Sequence, residues 1–149
     1  MRFLGVVFAA FALAGPAAAG LPLGRPVPPG QASAIAKRAA GFALLPKRMV
    51  SGFRYASWSF RPGLLTVRFV HKGNWTIVYS ARPFRGACRT GAEKTFQLDG
   101  NKSWWAEVEG GQQAWRCIGG VKVVAFTSRP PSAFADTGLG QVVAAAGRY

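Results

Sequence analysis

The chain is poor in the residue types that carry out chemistry, with one histidine, five carboxylates and two cysteines among 149 residues. An enzyme must bring a nucleophile, a base or a cluster of metal ligands to one place, and this set offers few combinations. His71 sits in or beside a tight turn next to Lys72, a solvated position where a histidine is an incidental or structural residue. No serine lies in a G-x-S-x-G elbow or an S-x-x-K pair. Carboxylates approach each other in sequence once, as Glu107 and Glu109, two apart on one face of a predicted strand. On an exposed strand such a pair serves solubility or pairs with basic neighbours. Two thiols without a C-x-x-C spacing make a poor zinc site. The expectation is a non-enzymatic protein with no catalytic residue, metal site or cofactor.

Long apolar runs are equally scarce. One occurs at the N-terminus, where Arg2 precedes an apolar stretch over residues 3–14, then Gly15-Pro16 and Ala17-Ala18-Ala19. That order is a charged n-region, an apolar h-region and a small-residue cleavage site. The stretch is far shorter than the roughly 20 residues that span a bilayer. Residues 1–19 are therefore expected to be a cleaved signal peptide, and the mature chain a periplasmic or extracellular protein with no transmembrane segment. No cysteine near the cleavage site offers a lipid attachment point, and no arginine pair precedes the run. Export puts Cys88 and Cys117 where a disulfide forms and persists, so a bridge between them is expected.

Acidic residues are missing altogether from the first part of the mature chain. Twelve lysines and arginines lie between residues 20 and 92 with no acid, and all five acids lie from Glu93 onward with six basic residues. The net charge of the chain is +14. A charge this high and this segregated speaks to partners and solubility rather than to fold. Nucleic acid is the usual partner of such a chain. Outside the cell the anions are phospholipid head groups, wall polymers and lipopolysaccharide. The expected partner is thus anionic envelope lipid or wall polymer, with another envelope protein as the alternative, and not nucleic acid. Arg54 and Arg68 alternate with large apolar residues along predicted strands and should face solvent, while Arg82, Arg85 and Arg89 extend the same field. These five are the candidate anion-binding residues.

Hydrophobic residues, by contrast, make up half of the chain, enough for one folded domain over residues 31–149. Residues 20–30 are Pro- and Gly-rich and read as a flexible leader. Residues 31–45 carry Ile35, Ala39 and Phe42 at helical spacing, with Ser33 placed to cap the helix and Pro46 to end it. The period then changes to two. Residues 53–60 alternate Phe53, Tyr55 and Ser57 against Arg54, Ala56 and Trp58. Leu65, Val67 and Phe69 form the next face, then Trp75, Ile77 and Tyr79, with a reversal at His71-Lys72-Gly73-Asn74. Residues 82–92 are an aperiodic connection. Residues 94–98 and 103–108 flank Asp99-Gly100, the sequence of a type I′ turn. Further strands follow over 113–118 and 121–127, and Arg129-Pro130-Pro131 closes the sheet. Leu139, Val142, Val143 and Ala146 give a C-terminal helix one apolar stripe. The fold class expected is α+β: a curled antiparallel sheet of six or seven strands in a meander, with an N-terminal and a C-terminal helix packed on it.

All five tryptophans fall in predicted strands. Trp104 and Trp105 are adjacent and must point to opposite faces. Trp105 has two readings, as a core residue or as the lining of a ligand groove.

The order of elements, with an early helix, a Leu45-Pro46 entry into the sheet, the Ala114-Trp115 strand and a last helix, resembles the LolA-like half-barrel modules of bacterial envelopes. The resemblance covers roughly residues 45–149. It implies a non-enzymatic module whose concave sheet face binds an acyl chain or a protein partner.

Overall fold

The computed structural model describes residues 21–72, 75–91, 93–128 and 135–149. The expected signal peptide, the Gly73-Asn74 reversal and the Arg129-Pro130-Pro131 segment lie outside the described residues. Among those described, the chain runs α1 (Pro29–Arg38), β1 (Leu45–Pro46), β2 (Phe53–Arg61), β3 (Leu64–His71), β4 (Trp75–Pro83), β5 (Lys94–Leu98), β6 (Asn101–Val108), β7 (Gly111–Ile118), β8 (Val121–Thr127), α2 (Ala135–Ala144) and β9 (Ala146–Gly147). The class is α+β, dominated by one antiparallel sheet of seven strands.

The sheet is not one continuous meander. Its spatial order is β2-β3-β4-β8-β7-β6-β5. Three strands run out from one edge and four run back from the other, and the two sets meet where Tyr79 of β4 faces Ala125 of β8. The chain leaves β4 at the centre, crosses to the far edge to begin β5, and returns strand by strand. Tight hairpins carry the return. At Asp99 and Gly100 both residues have positive φ, 51° and 76°, the type I′ geometry that the Asp-Gly pair selects.

Residues directly opposed across antiparallel strands share a face, and the pairing defines two. The inner face carries Leu65, Val67, Phe69, Ile77, Tyr79, Ala81, Val123 and Ala125, all fully buried. Leu139, Val142 and Val143 of α2 are buried as well, and that helix packs along β5, β6, β7 and β8. Arg116, on the inner face of β7, donates to the carbonyl oxygen of Ala144 at 2.7 Å and to Asn101 Oδ1 at 3.0 Å. A guanidinium at a helix C-terminus satisfies an orphan carbonyl and opposes the negative end of the helix dipole. Ala146 leaves this stripe for β9, where it pairs with Pro46.

Strand β2 departs from strict alternation. Its pairing with β3 shifts between Tyr55 and Ser57, so Ala56 is an inserted bulge residue. Beyond the bulge Trp58 and Phe60 fall on the same face as Phe53 and Tyr55, opposite Val67 and Leu65, not on the face of Arg54 as plain alternation predicts. Trp58 Nε1 then donates to Gln31 Oε1 of α1 at 2.8 Å, and Arg38 lies over the Phe60 ring at 5.6 Å.

Helix α1 is shorter than the expected 31–45. Pro28 is its N-cap without a side-chain bond, and Pro29 opens it, a position that needs no N–H donor. Ser33 is thus inside the helix and caps nothing. The helix stops because Ala39 leaves the helical region and Gly41 adopts φ 91°, a conformation glycine enters without strain. Leu45-Pro46, expected at a helix end, is instead β1, paired with β9. The leader lies along the molecule. Gly24 N–H donates to the carbonyl of Lys47, Arg48 donates to the carbonyl of Leu21, and Val27 is fully buried. Arg48 also pairs with Asp99 at 2.6 Å, tying the leader to the β5–β6 turn.

Candidate functional site

The outer face of the sheet has no helix on it among the described residues. Across β2, β3, β4 and β8 it presents Arg54, Arg68, Arg82 and Lys122, interspersed with Ser57, Thr66, Thr76 and Ser80. Arg54, Arg68 and Arg82 are exposed. The two ion pairs found among the described residues are Arg48–Asp99 and Arg89–Glu93, so none of the four outer-face cations has a described acidic partner. Their charges add to one field over four neighbouring strands.

The connection between β4 and β5 crosses this same face. Cys88 in it is bridged to Cys117 of β7, with Cα atoms 6.0 Å apart, which is the pairing expected from the sequence. Trp115, two residues earlier on β7, is 3% exposed although it points outward, because this connection covers it. Its indole N–H donates to the carbonyl oxygen of Cys88 at 2.7 Å. Phe84 N–H donates to the carbonyl of Gly120 at 2.8 Å, fixing the start of the crossing.

The five candidate arginines are not equivalent. Arg54, Arg68 and Arg82 stand together on the outer face, and Arg85 is exposed in the crossing next to Phe84. Arg89 is partly neutralised by Glu93 at 3.3 Å. Glu93 is itself held by the Thr90 hydroxyl at 2.8 Å and the Thr90 N–H at 3.0 Å. The sequence reading overlooked Lys122. It is directly opposed to Arg82 across β4 and β8, and no local signal reveals that, since a plain meander places β5 beside β4.

Trp105 lies on the inner face, half-buried against the core, with the Lys94 ammonium 4.6 Å from its ring centroid. Surface cavities of about 190 to 360 Å³ surround Arg25, Lys47 and Arg48, and Trp105 lines none of these three. Trp104 occupies the outer face opposite Trp115.

His71 ends β3 beside the turn residue Lys72. Its ring stacks on Trp75 at 4.8 Å and lies 5.3 Å from Phe53. Glu107 belongs to β6 whereas Glu109 lies in the turn after it, so the two do not share a strand face. Among the described residues no three histidine, cysteine or acidic side chains gather as metal ligands.

Comparison of the chain with known protein families, with curated proteins and with solved structures returns no match. The outer face must be read from its own chemistry. Among the described residues it offers cations, hydroxyls and a pinned aromatic platform.

Proposed function

We propose that the protein is an exported, non-enzymatic module that binds anionic envelope material, a phospholipid surface or a wall polymer, through the outer face of its sheet. One observation carries this reading: Arg54, Arg68, Arg82 and Lys122 project from four adjacent strands onto a face that bears no described helix, without a described carboxylate to neutralise them. Sheet faces that serve only solubility mix both signs of charge. The disulfide, and the lack of any membrane-length apolar helix among the described residues, are compatible with export.

The resemblance to LolA-like modules points instead to the helix-covered side as a ligand groove, and no cavity described there is lined by Trp105. Partnership with another envelope protein through a sheet edge is served less well. The edge strand β2 carries a bulge at Ala56 and the charges of Arg54 and Arg61, features that discourage edge-to-edge pairing.

Co-sedimentation with anionic and neutral vesicles over a salt series tests the proposal. Exposed charges are screened over about 8 Å at physiological salt. Retention on anionic vesicles that falls steeply with salt is expected, and equal retention on both kinds of vesicle overturns the reading.

A further inference from the structure

We propose that Arg82 and Lys122 together form a binding site for a phosphate monoester dianion. The proposal rests on the reading of the outer face as an anion-binding surface and names the group that one part of it recognises.

The two residues are directly opposed across β4 and β8, which sets their Cβ atoms about 4.5–5.5 Å apart on one face. Like charges so placed repel, and a sheet ordinarily separates them or sets an acid between them. No described acid pairs with either. What the fold supplies instead is an aromatic floor. Arg82 Cζ lies 5.6 Å and Lys122 Nζ 5.0 Å from the centroid of the Phe84 ring, and Lys122 Nζ is also 5.6 Å from the Trp115 ring. Ring faces attract cations and restrict their rotamers but leave their charge in place.

The floor is rigid for reasons already described. The main chain at Phe84 is held by its N–H bond to the Gly120 carbonyl, and the Trp115 ring by its bond to Cys88 beside the disulfide. The ordering of two long side chains is thereby completed before a ligand arrives. Burial and the neighbouring Arg82 also loosen the proton on Lys122, as a cation facing another cation requires.

Ligand class follows from charge and shape. A planar guanidinium fork and a compact ammonium are the two groups that hold phosphate oxygens, the first in bidentate fashion and the second as a point charge. A phosphate monoester carries about −1.5 to −2 at pH 7 and so neutralises both cations. A carboxylate or a phosphodiester neutralises one and leaves the repulsion half relieved.

The test begins with a soluble monoester, glycerol 3-phosphate, compared with acetate at matched ionic strength. Thermal unfolding of the intact, disulfide-bonded chain is expected to shift upward by several degrees with the phosphate and not with acetate. Lys122→Gln and Arg82→Gln should each abolish the shift, Lys122→Arg should keep it, and Arg54→Gln with Arg68→Gln should leave it unchanged. The ε-methylene resonance of Lys122 reports the same event independently of stability, because bound phosphate should restore the proton affinity of the amine. No shift in the unaltered chain, or an equal shift in Lys122→Gln, overturns the proposal. Vesicles containing phosphatidic acid or phosphatidylglycerol at equal charge then separate the sources of phosphate. A preference for phosphatidic acid that Lys122→Gln removes assigns the group to a lipid head group. A soluble-phosphate effect without that preference supports the site and assigns it to a non-lipid phosphate. Charge-driven retention on both vesicles with no glycerol 3-phosphate effect removes this site and leaves the broader anion-binding reading standing.

Discussion

The indole N–H of Trp115 donates to the backbone carbonyl of Cys88 at 2.7 Å, and Cys88 is in turn bonded to Cys117 on the same strand as Trp115. The crossing between the two halves of the sheet is therefore held twice within two residues of β7. A covalent bond sets the position, and a hydrogen bond sets the orientation of the ring beneath it.

Reducing this bond, or replacing both cysteines by serine, should lower stability by about 3 to 4 kcal/mol on the chain-entropy model for a closed loop of this length. Uncovering of Trp115 should accompany the loss, seen as a red shift in fluorescence that Trp115→Phe removes. Urea titrations of oxidised and reduced protein measure both effects. Equal midpoints would show that the crossing is held without the bridge.

The bulge at Ala56 yields a second prediction. By absorbing the extra residue it brings Trp58 to the inner face, where the ring packs on the core margin and bonds Gln31 of α1. Trp58→Ala should therefore lower stability by about 3 kcal/mol and speed proteolysis between α1 and β1. Deleting Ala56 removes the bulge but keeps Trp58 and Phe60 opposite Val67 and Leu65 by plain alternation, so it should cost much less. Urea unfolding and limited trypsinolysis compare the two variants. A loss in the deletion variant as large as in Trp58→Ala would show that the inward placement of Trp58 is not what holds α1.

Tyr79 sets a pH limit. Its hydroxyl is fully buried and donates to the carbonyl of Leu44 at 2.7 Å. Burial pushes its ionisation well above the ordinary tyrosine range, Tyr149 raises it further, and Arg116 opposes both. The folded value is raised above the unfolded one, so the contribution is complete below about pH 10 and is lost as pH rises from there toward the folded value. Tyr55 and Tyr149 are shifted in the same direction by burial. Absorbance at alkaline pH should show Tyr79 ionising together with unfolding, and Tyr79→Phe should flatten the decline of stability above that pH. An independent titration of all three tyrosines in the folded protein would contradict the account.

Much of the fold was legible because its signals are local. Asp99-Gly100 determines its own turn, and Leu139, Val142 and Val143 declare one face of a helix by spacing alone. Val121, Val123 and Ala125 announce a buried strand face by alternation. What escaped the sequence depends on partners far along the chain. That β4 lies beside β8 follows from how two meanders close on each other, and with it came the opposition of Arg82 and Lys122. The bulge at Ala56 escaped because an inserted residue with a small side chain leaves alternation intact on paper while reversing it in space. Gly41 was a local stop signal outweighed by the more conspicuous Pro46. The basic character of the candidate site was evident from the absence of acids before Glu93, whereas its confinement to one face required the pairing register.

The most direct measurement of the central claim compares removal of equal charge from opposite sides of the molecule. One variant carries Arg54→Gln, Arg68→Gln and Arg82→Gln on the outer face, and the other carries Arg25→Gln, Lys37→Gln and Arg148→Gln around α1. Both lose three positive charges, so a purely global charge effect changes them equally. Affinity for anionic vesicles at physiological salt is expected to fall at least tenfold in the outer-face variant and less than threefold in the other. Equal losses in the two variants would show that the outer face of the sheet is not the binding surface.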